Sequence, residues 1–175
     1  DGVPDPVTGA EDSKVYALSG KNGAKLWEFK AGARVEFSPA FADLNGDGLP
    51  DLVLGSSDRN GLAKGPQDWG VYALSGKDGS KLWEFRVGYP ILSSPVLSDL
   101  NGVGVPDAVV GSRNSKLFAL SGIDGSKLWE FKTGGIVDSS PALADVDGDG
   151  TPDCVVGSYD FNVYALSGRD GAKLW

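Results

Sequence analysis

An internal repeat constrains this chain more than any other feature of its sequence. The phrase ALSG-x-x-G-x-KLW occurs four times in 175 residues, ending at Trp27, Trp83, Trp129 and Trp175. A second phrase, Pro-Asp followed by an apolar run, begins at Pro4, Pro50, Pro106 and Pro152. Successive copies are 46 or 56 residues apart, so the period is 46 residues with one insertion of 10. The chain is therefore expected to repeat one small structural unit rather than to form a single irregular domain.

Each copy of the repeat is typical of four short β-strands. In the third copy we expect strands at 94–100, 106–112, 116–122 and 127–134. Runs such as VYAL and AVV favour strands, and Asp-Gly, Asn-Gly and Ser-Gly pairs separate them. No stretch has a helical period of useful length. A period in the forties with four strands per unit is typical of β-propeller blades. The sequence predicts an all-β fold, namely a β-propeller of four four-stranded blades that stands alone or belongs to a larger or tandem propeller.

The blade boundaries follow from the period. We place the blades at 1–37, 38–93, 94–139 and 140–175, with the insertion at 58–69 in the second. The first copy starts inside a turn and lacks its opening strand, so fifteen of sixteen strands are predicted. An unpaired blade edge invites strand addition. Self-association by strand sharing at the incomplete blade is therefore the first partner prediction.

A loop of the form D-x-[DN]-x-D-G-x-x-D follows the first strand of two copies. A hard cation such as Ca²⁺ prefers six to eight oxygen ligands, and alternate residues of a tight loop can converge on it. The predicted ligands in these two loops, with Leu49 and Thr151 contributing backbone carbonyls, are Asp43, Asn45, Asp47, Leu49, Asp51, Asp145, Asp147, Asp149, Thr151 and Asp153. The alternative interpretation is that Asp-Gly-rich loops are only favourable turns.

The other two copies of the loop are incomplete. In the third copy Val103 replaces the central carboxylate, so Asp99, Asn101 and Asp107 form a weaker site. At the start of the chain only Asp1 and Asp5 remain. They form a half-site that a segment from a subunit or repeat junction would have to complete.

Two resemblances cover almost the whole chain. The ALSG phrases resemble the tryptophan-docking repeat of quinoprotein (PQQ-like) propellers, with Ala, Gly and Trp at offsets 0, 6 and 10, although Ser replaces the usual Asp or Asn at offset 2. This resemblance implies that the four repeated tryptophans, Trp27, Trp83, Trp129 and Trp175, dock neighbouring blades together. The stretches SPAFADLNGDGLPDLVLGS and SPALADVDGDGTPDCVVGS are similar to the calcium-binding FG-GAP (integrin-α-like) blade.

Composition excludes several classes of function. The chain has no His and one Cys, which excludes a Ser-His-Asp triad and any imidazole metal site. Its net charge of -8 argues against a nucleic-acid partner. No apolar run approaches the ~18 residues of a membrane span. No catalytic residue is therefore predicted, and Ca²⁺ is the expected cofactor.

Three functions are ranked on these grounds. The first is a non-catalytic, calcium-stabilised propeller with a structural or assembly role, for example as a subunit of a fibre or tandem array. The second is a lectin-like or adhesive propeller that contacts a carbohydrate or protein through the 58–69 insertion and Trp69. The third, a fragment of a PQQ-dependent dehydrogenase, is least supported because four short blades offer no pocket for PQQ. Loops of this kind hold calcium at millimolar concentration, which favours an extracellular or periplasmic location.

Overall fold

The described part of the chain is built entirely from short antiparallel strands. A computed structural model describes residues 2–57 and 69–175. These residues contain fourteen strands and no helix. The strands are β1 Val7–Gly9, β2 Lys14–Leu18, β3 Lys25–Lys30, β4 Ala40–Ala42, β5 Asp51–Gly55, β6 Gly70–Leu74, β7 Lys81–Arg86, β8 Val96–Ser98, β9 Asp107–Ser112, β10 Lys116–Leu120, β11 Lys127–Lys132, β12 Ala142–Ala144, β13 Asp153–Gly157 and β14 Val163–Leu166. Because no described helix exists, none is long and apolar enough to cross a membrane.

The strands form four small sheets, one for each copy of the repeat. The sheet orders are β1-β2-β3, β4-β5-β6-β7, β8-β9-β10-β11 and β12-β13-β14, with every neighbouring pair antiparallel. The prediction of an all-β chain of four repeated sheets is confirmed. The fifteenth strand, expected at the end of the chain, is reduced to an isolated bridge between Leu166 and Lys173. Fourteen strands rather than fifteen are therefore present in the described residues.

The third and fourth strands of a unit meet in the same register each time. Ala17 lies opposite Trp27, Ala73 opposite Trp83 and Ala119 opposite Trp129, with the register shifting one residue later. The turn that joins these strands is closed by a bond such as that from the Gly79 N–H to the Ser75 carbonyl, at 2.9 Å. Gly79 has a φ of +74°, a conformation that costs glycine little.

The core lies between consecutive sheets rather than within one of them. Three clusters of buried side chains each combine the face of one sheet with the opposing face of the next. The short first strands of the last three units lie side by side, with β8 in contact with both β4 and β12. This serial stacking of similar sheets around short inner strands is the arrangement expected of propeller blades.

The described sheets form an open array and not a closed ring. Trp27, Trp83 and Trp129 are at most 9% exposed, whereas Trp175, at the same position of the last unit, is 57% exposed. Val163 on the outer face of the last sheet is 58% exposed. The last sheet therefore presents an uncovered face.

Candidate metal centre and docking residues

The loop between β4 and β5 wraps around its own side-chain oxygens. Asp43 accepts hydrogen bonds from the Gly46 N–H at 2.7 Å and the Gly48 N–H at 2.9 Å. Asn45 Oδ1 accepts from the Asp47 N–H, and Asp47 Oδ1 accepts from the Leu49 N–H, each at 2.9 Å. The backbone N–H groups that face Asp43, first that of Gly48 and then that of Gly46, hold the pKa of Asp43 below its usual value. These bonds fix the loop as a tight turn, but among the described residues the carboxylates of Asp43, Asp47 and Asp51 do not form a convergent group.

The last aspartate of this loop, Asp51, is fully buried and has several donors. Asp51 Oδ2 accepts from the Leu44 N–H at 3.0 Å, and Oδ1 accepts from Asn45 Nδ2 at 3.2 Å and the Gly76 N–H at 3.1 Å. Buried Asp107 and Asp153 have equivalent donors in their own units. These aspartates therefore anchor the loop to a turn glycine that lies 25 residues later in the second unit and 15 residues later in the third and fourth units, a role that sequence reasoning missed. A carboxylate has about four lone-pair sites, so a ligand role for Asp51 is compatible with these bonds.

The loop between β12 and β13 brings three carboxylates together. Single oxygen atoms of Asp145, Asp147 and Asp149 all lie within 4.8 Å of one another, and all three residues are exposed. Arg169 approaches Asp149 Oδ2 at 3.3 Å and donates to Thr151 Oγ1 at 3.0 Å. Three like charges at this distance repel one another, and because Arg169 contacts only Asp149 among them, a bound cation would relieve the remaining repulsion. The donor set, entirely hard oxygen, fits calcium or magnesium better than a soft metal.

The third loop keeps the same shape without its central carboxylate. Asp99 accepts from the N–H groups of Gly102, Val103 and Gly104, at 2.8 to 3.2 Å. Val103 itself is 56% exposed. Hydrogen bonds alone are therefore sufficient to form this loop, and the wrapped conformation does not by itself indicate a metal.

The predicted half-site at the start of the chain is only partly described, since Asp1 lies outside the described residues. Asp5 Oδ1 accepts from the Gly20 N–H at 2.9 Å, the counterpart of the bond from Gly76 to Asp51. Unlike its three buried counterparts, Asp5 is exposed. Among the described residues no donor reaches its Oδ2 atom.

Three of the four repeated tryptophans dock onto the following unit. Trp27 Nε1 donates to the carbonyl of Gly76 at 3.0 Å. The corresponding bonds in the next two interfaces, each one unit further along, are Trp83 to Gly122 at 2.8 Å and Trp129 to Gly168 at 2.7 Å. Gly76 therefore donates its N–H to the buried aspartate of a loop and offers its carbonyl to the tryptophan of the preceding unit. The loops and the interfaces between units share this residue.

The tryptophan rings also require a second glycine in each docking turn. A Cβ atom placed on Gly79, Gly125 or Gly171 would lie 2.6 to 2.8 Å from the docked ring. Gly23 has the same backbone conformation as Gly125, with a φ of +71°, but a Cβ atom there would meet nothing within 4 Å. In the described structure, therefore, no tryptophan ring packs against the docking turn of the first unit.

Trp69 lies at the end of the insertion, and residues 58–68 lie outside the described part. The Trp69 carbonyl accepts from the N–H groups of Val87 and Gly88, at 3.0 and 3.1 Å, which extends the pairing of β6 with β7. Its side chain is half-buried, and its Nε1 atom is buried with no partner among the described residues.

The single cysteine offers no nucleophile. Cys154 lies in β13 and is fully buried. Burial raises the pKa of its thiol to about 12, so almost no thiolate forms near neutral pH. Its place in the apolar cluster between the last two sheets is that of a core residue.

Serially docked units of three or four strands, joined by tryptophan and glycine, define a β-propeller-repeat protein. Residues 67–175 match the family model described as outer membrane protein assembly factor BamB, a PQQ-like repeat family. The chain belongs to this family. Residues 37–68 match the FG-GAP repeat. Both resemblances stated from the sequence are thereby confirmed.

Solved structures agree on the fold. BamB from Moraxella catarrhalis is 18% identical with a TM-score of 0.68, and the match covers 99% of this chain and 47% of that one. The PilY1 C-terminal domain from Pseudomonas aeruginosa is 25% identical with a TM-score of 0.66, covering 94% and 38%. Quinohemoprotein alcohol dehydrogenase ADHIIG from Pseudomonas putida HK5 is 14% identical with a TM-score of 0.69, covering 98% and 32%. The chain spans less than half the length of each of these structures. A separate comparison with curated proteins found no match.

Proposed function

We propose that this chain is a non-catalytic, calcium-stabilised β-propeller module with a structural or assembly role. In this proposal the four sheets are four blades, either of a ring of four or of a larger or tandem propeller. One observation carries the proposal. Each unit docks onto the next through the same tryptophan, and the residue that receives it also anchors an aspartate-rich loop. A contact that recurs at each described interface is expected of a protein that is built from repeated units.

Calcium is assigned to the loops that retain all their carboxylates. Asp145, Asp147 and Asp149 would hold it in the last unit, with the Thr151 carbonyl and Asp153 in support. Asp43, Asn45 and Asp47 would do so in the second, with the Leu49 carbonyl and Asp51. Bound calcium would neutralise the clustered charge and brace the loop against the docking turn. The FG-GAP match of residues 37–68 supports the assignment of calcium to the loop of the second unit.

The assignment of a non-catalytic role rests on the chemistry of the side chains. The chain has no His, and its one thiol is buried with a raised pKa. Glu28 has a pKa lowered to about 2 because Lys14 and Lys25 bind its carboxylate at 2.8 Å, which is a pairing at the surface and not a general base. We place the module outside the cytoplasm, because loops of this type match millimolar calcium. Neighbours that include BamB support protein partners.

Thermal unfolding with and without calcium tests the metal assignment. Calcium at 100 times its dissociation constant adds about 2.7 kcal/mol to the free energy of unfolding, which corresponds to a rise in Tm of about 5 to 10 °C for a chain of this size. Chelator should remove the whole increase. The double substitution Asp145→Asn with Asp149→Asn should remove part of it, whereas Asp99→Asn in the Val103 loop should leave it intact. A melting curve that does not respond to calcium would contradict the assignment.

A second candidate function is a binding propeller that uses the 58–69 insertion. The half-buried indole of Trp69 at the end of this insertion favours this alternative, because part of the ring is accessible to a ligand. Retention on an array of carbohydrates should then fall on Trp69→Ala, which removes the ring. Retention that is unchanged in Trp69→Ala would exclude a contact through this ring.

Self-association through an open sheet edge completes the proposed function. Electron microscopy of the protein in calcium should show linear assemblies under this proposal. Isolated small particles at the same protein concentration would contradict an assembly role.

A further inference from the structure

Arg169 brings a positive charge to the loop between β12 and β13. It follows Gly168, the glycine whose carbonyl accepts the bond from Trp129. Its Nη2 atom lies 3.3 Å from Asp149 Oδ2 and donates to Thr151 Oγ1 at 3.0 Å. The turn that receives the docked tryptophan of the third unit therefore also reaches the cluster of three carboxylates in the last unit.

The two carboxylate oxygens of Asp149 have different partners. Oδ1 accepts a hydrogen bond from the Thr151 N–H at 2.7 Å, which is a bond within the loop. The loop of the second unit has the same bond, from the Leu49 N–H to Asp47 Oδ1 at 2.9 Å. Oδ2 of Asp149 faces the guanidinium of Arg169. A cation that binds Asp149 through Oδ2 has to share this oxygen with the guanidinium or displace it.

Arg169 lies on the side of the last unit that faces the third unit. It lines a cleft of about 540 Å³ together with Asp99, Asn101 and Thr151. Its side chain is 62% exposed, and that of Asp149 is 31% exposed, so ions from the solvent can reach the pair. Arg169 belongs to none of the three buried clusters of the described structure. Its substitution should therefore leave the fold intact.

The residue after the docking glycine varies together with the central residue of the loop in the same unit. Two units combine a central aspartate with a basic residue, and one combines two apolar residues. The pairs are Asp47 with Lys77, Val103 with Ile123, and Asp149 with Arg169. Val103 is 56% exposed and Ile123 is 59% exposed, so burial does not explain why both are apolar. The basic residue is present where the central carboxylate is present, as expected if the two charges act on each other.

A fixed positive charge at this place affects the loop in two opposite ways. In the absence of metal, it relieves part of the repulsion among the three carboxylates. In the presence of metal, it repels the divalent ion that the same carboxylates attract. Because the pair is exposed, water and salt reduce both effects. Arg169 should therefore favour the metal-free loop and oppose the binding of calcium.

We propose that Arg169 is a built-in counterion of Asp149, which competes with calcium and lowers the calcium affinity of the loop in the last unit. The inference rests on the proposed function, because it concerns a loop to which calcium is assigned there. In the metal-free protein the guanidinium holds Asp149 Oδ2. When calcium binds, the guanidinium gives up this contact and turns into the adjoining cleft. The loop thus fills at a higher calcium concentration than its carboxylates alone would require.

Calcium titration of the full chain tests this role of Arg169. NMR at the amide of Gly150, whose N–H donates to Asp145 Oδ2 at 3.0 Å, reports on the loop of the last unit alone. Arg169→Gln removes the charge but keeps an amide that can donate to Thr151. Its dissociation constant for calcium should be about three- to tenfold lower than that of the unaltered protein at low salt, and the difference should shrink as salt is added. Arg169→Lys keeps the charge and should stay within about twofold of the unaltered protein.

The second unit supplies a matched control. Lys77→Gln removes one positive charge from the equivalent turn, so the net charge of the protein changes equally while the contact of Arg169 with Asp149 remains. The calcium affinity measured at Gly150 should be unchanged in this variant. Equal affinities of Arg169→Gln and the unaltered protein, or an equal gain in Lys77→Gln, would overturn the counterion role and leave the calcium assignment in place. Absence of calcium binding in all of these proteins would overturn the proposed function and this inference with it.

Discussion

At the scale of single residues, glycine carries much of the architecture. Gly76, Gly122 and Gly168 each connect an aspartate on one side to a tryptophan on the other. Three residues further along, Gly79, Gly125 and Gly171 lie directly against the docked ring. The first set must be glycine because a Cβ atom there would lie 1.9 to 2.0 Å from the carbonyl oxygen of Pro50, Pro106 or Pro152. The second is required because a side chain there would occupy the space of the indole.

Alanine substitution of two glycines separates backbone strain from ring contact. Gly23 and Gly125 share a φ of +71°, but only Gly125 lies against a tryptophan. Gly23→Ala should cost about 1 kcal/mol, the penalty of a left-handed conformation. Gly125→Ala should cost about 2 to 4 kcal/mol, because the Trp83 ring must also move. Chemical denaturation measures both values, and equal costs would show that the ring contact contributes nothing.

The pKa of Asp160 gives a test of one hydrogen bond. The Tyr164 hydroxyl donates to Asp160 Oδ2 at 2.6 Å, and this bond is the main reason that the pKa of Asp160 is lowered to about 2. Because the folded-state pKa is below the unfolded value, the bond stabilises the fold above about pH 4. That stabilisation is lost as the pH falls towards 2. Tyr164→Phe should raise the pKa of Asp160, as measured by NMR titration of its carboxyl carbon, and an unchanged pKa would contradict this cause.

At the scale of strands and turns, the sequence repeat predicts the four sheets but not the ends of the strands. The spacing of the phrases identifies all four sheets, because each strand alternates with turn residues that the sequence displays. The strand ends are less predictable. The expected strand at 94–100 is observed only at Val96–Ser98, since Asp99 already bonds to the N–H groups of the following loop. Local hydrogen bonding of this kind competes with strand pairing and is not visible in hydrophobic periodicity.

The candidate metal site was likewise predicted only in part from the sequence. The spacing of Asp145, Asp147 and Asp149 predicted a convergent group, and the structure brings their oxygens together. The spacing did not predict the second role of Asp51, because that role depends on Gly76, which lies 25 residues further along the chain in the turn after β6. The sequence contains a signal that could have revealed it. Each buried aspartate recurs with an SG-x-x-G turn in the same copy.

Tryptophan substitution tests the docking element. Trp83→Phe removes the bond from Nε1 to the Gly122 carbonyl and leaves a space in a cluster where Trp83 is 5% exposed. We expect a loss of about 2 to 3 kcal/mol in the free energy of unfolding. Trp175→Phe, at a position that is 57% exposed, should change stability by less than about 0.5 kcal/mol. Similar losses at both positions would indicate that docking is not what stabilises the array.

At the scale of the whole molecule, the sheets are joined in series, and each interface repeats the contacts of the one before it. Because each buried cluster in the described structure joins only two consecutive sheets, a disturbance in one unit acts directly on its immediate neighbours alone. The free energy of unfolding can therefore be treated as the sum of the stabilities of the single units and of the interfaces between adjacent units. The first and last units should unfold first, because each has only one interface. Amide exchange should be slowest in β5, β6, β9 and β10 and fastest in the two outer sheets, and each further unit added to the array should raise stability by a similar increment.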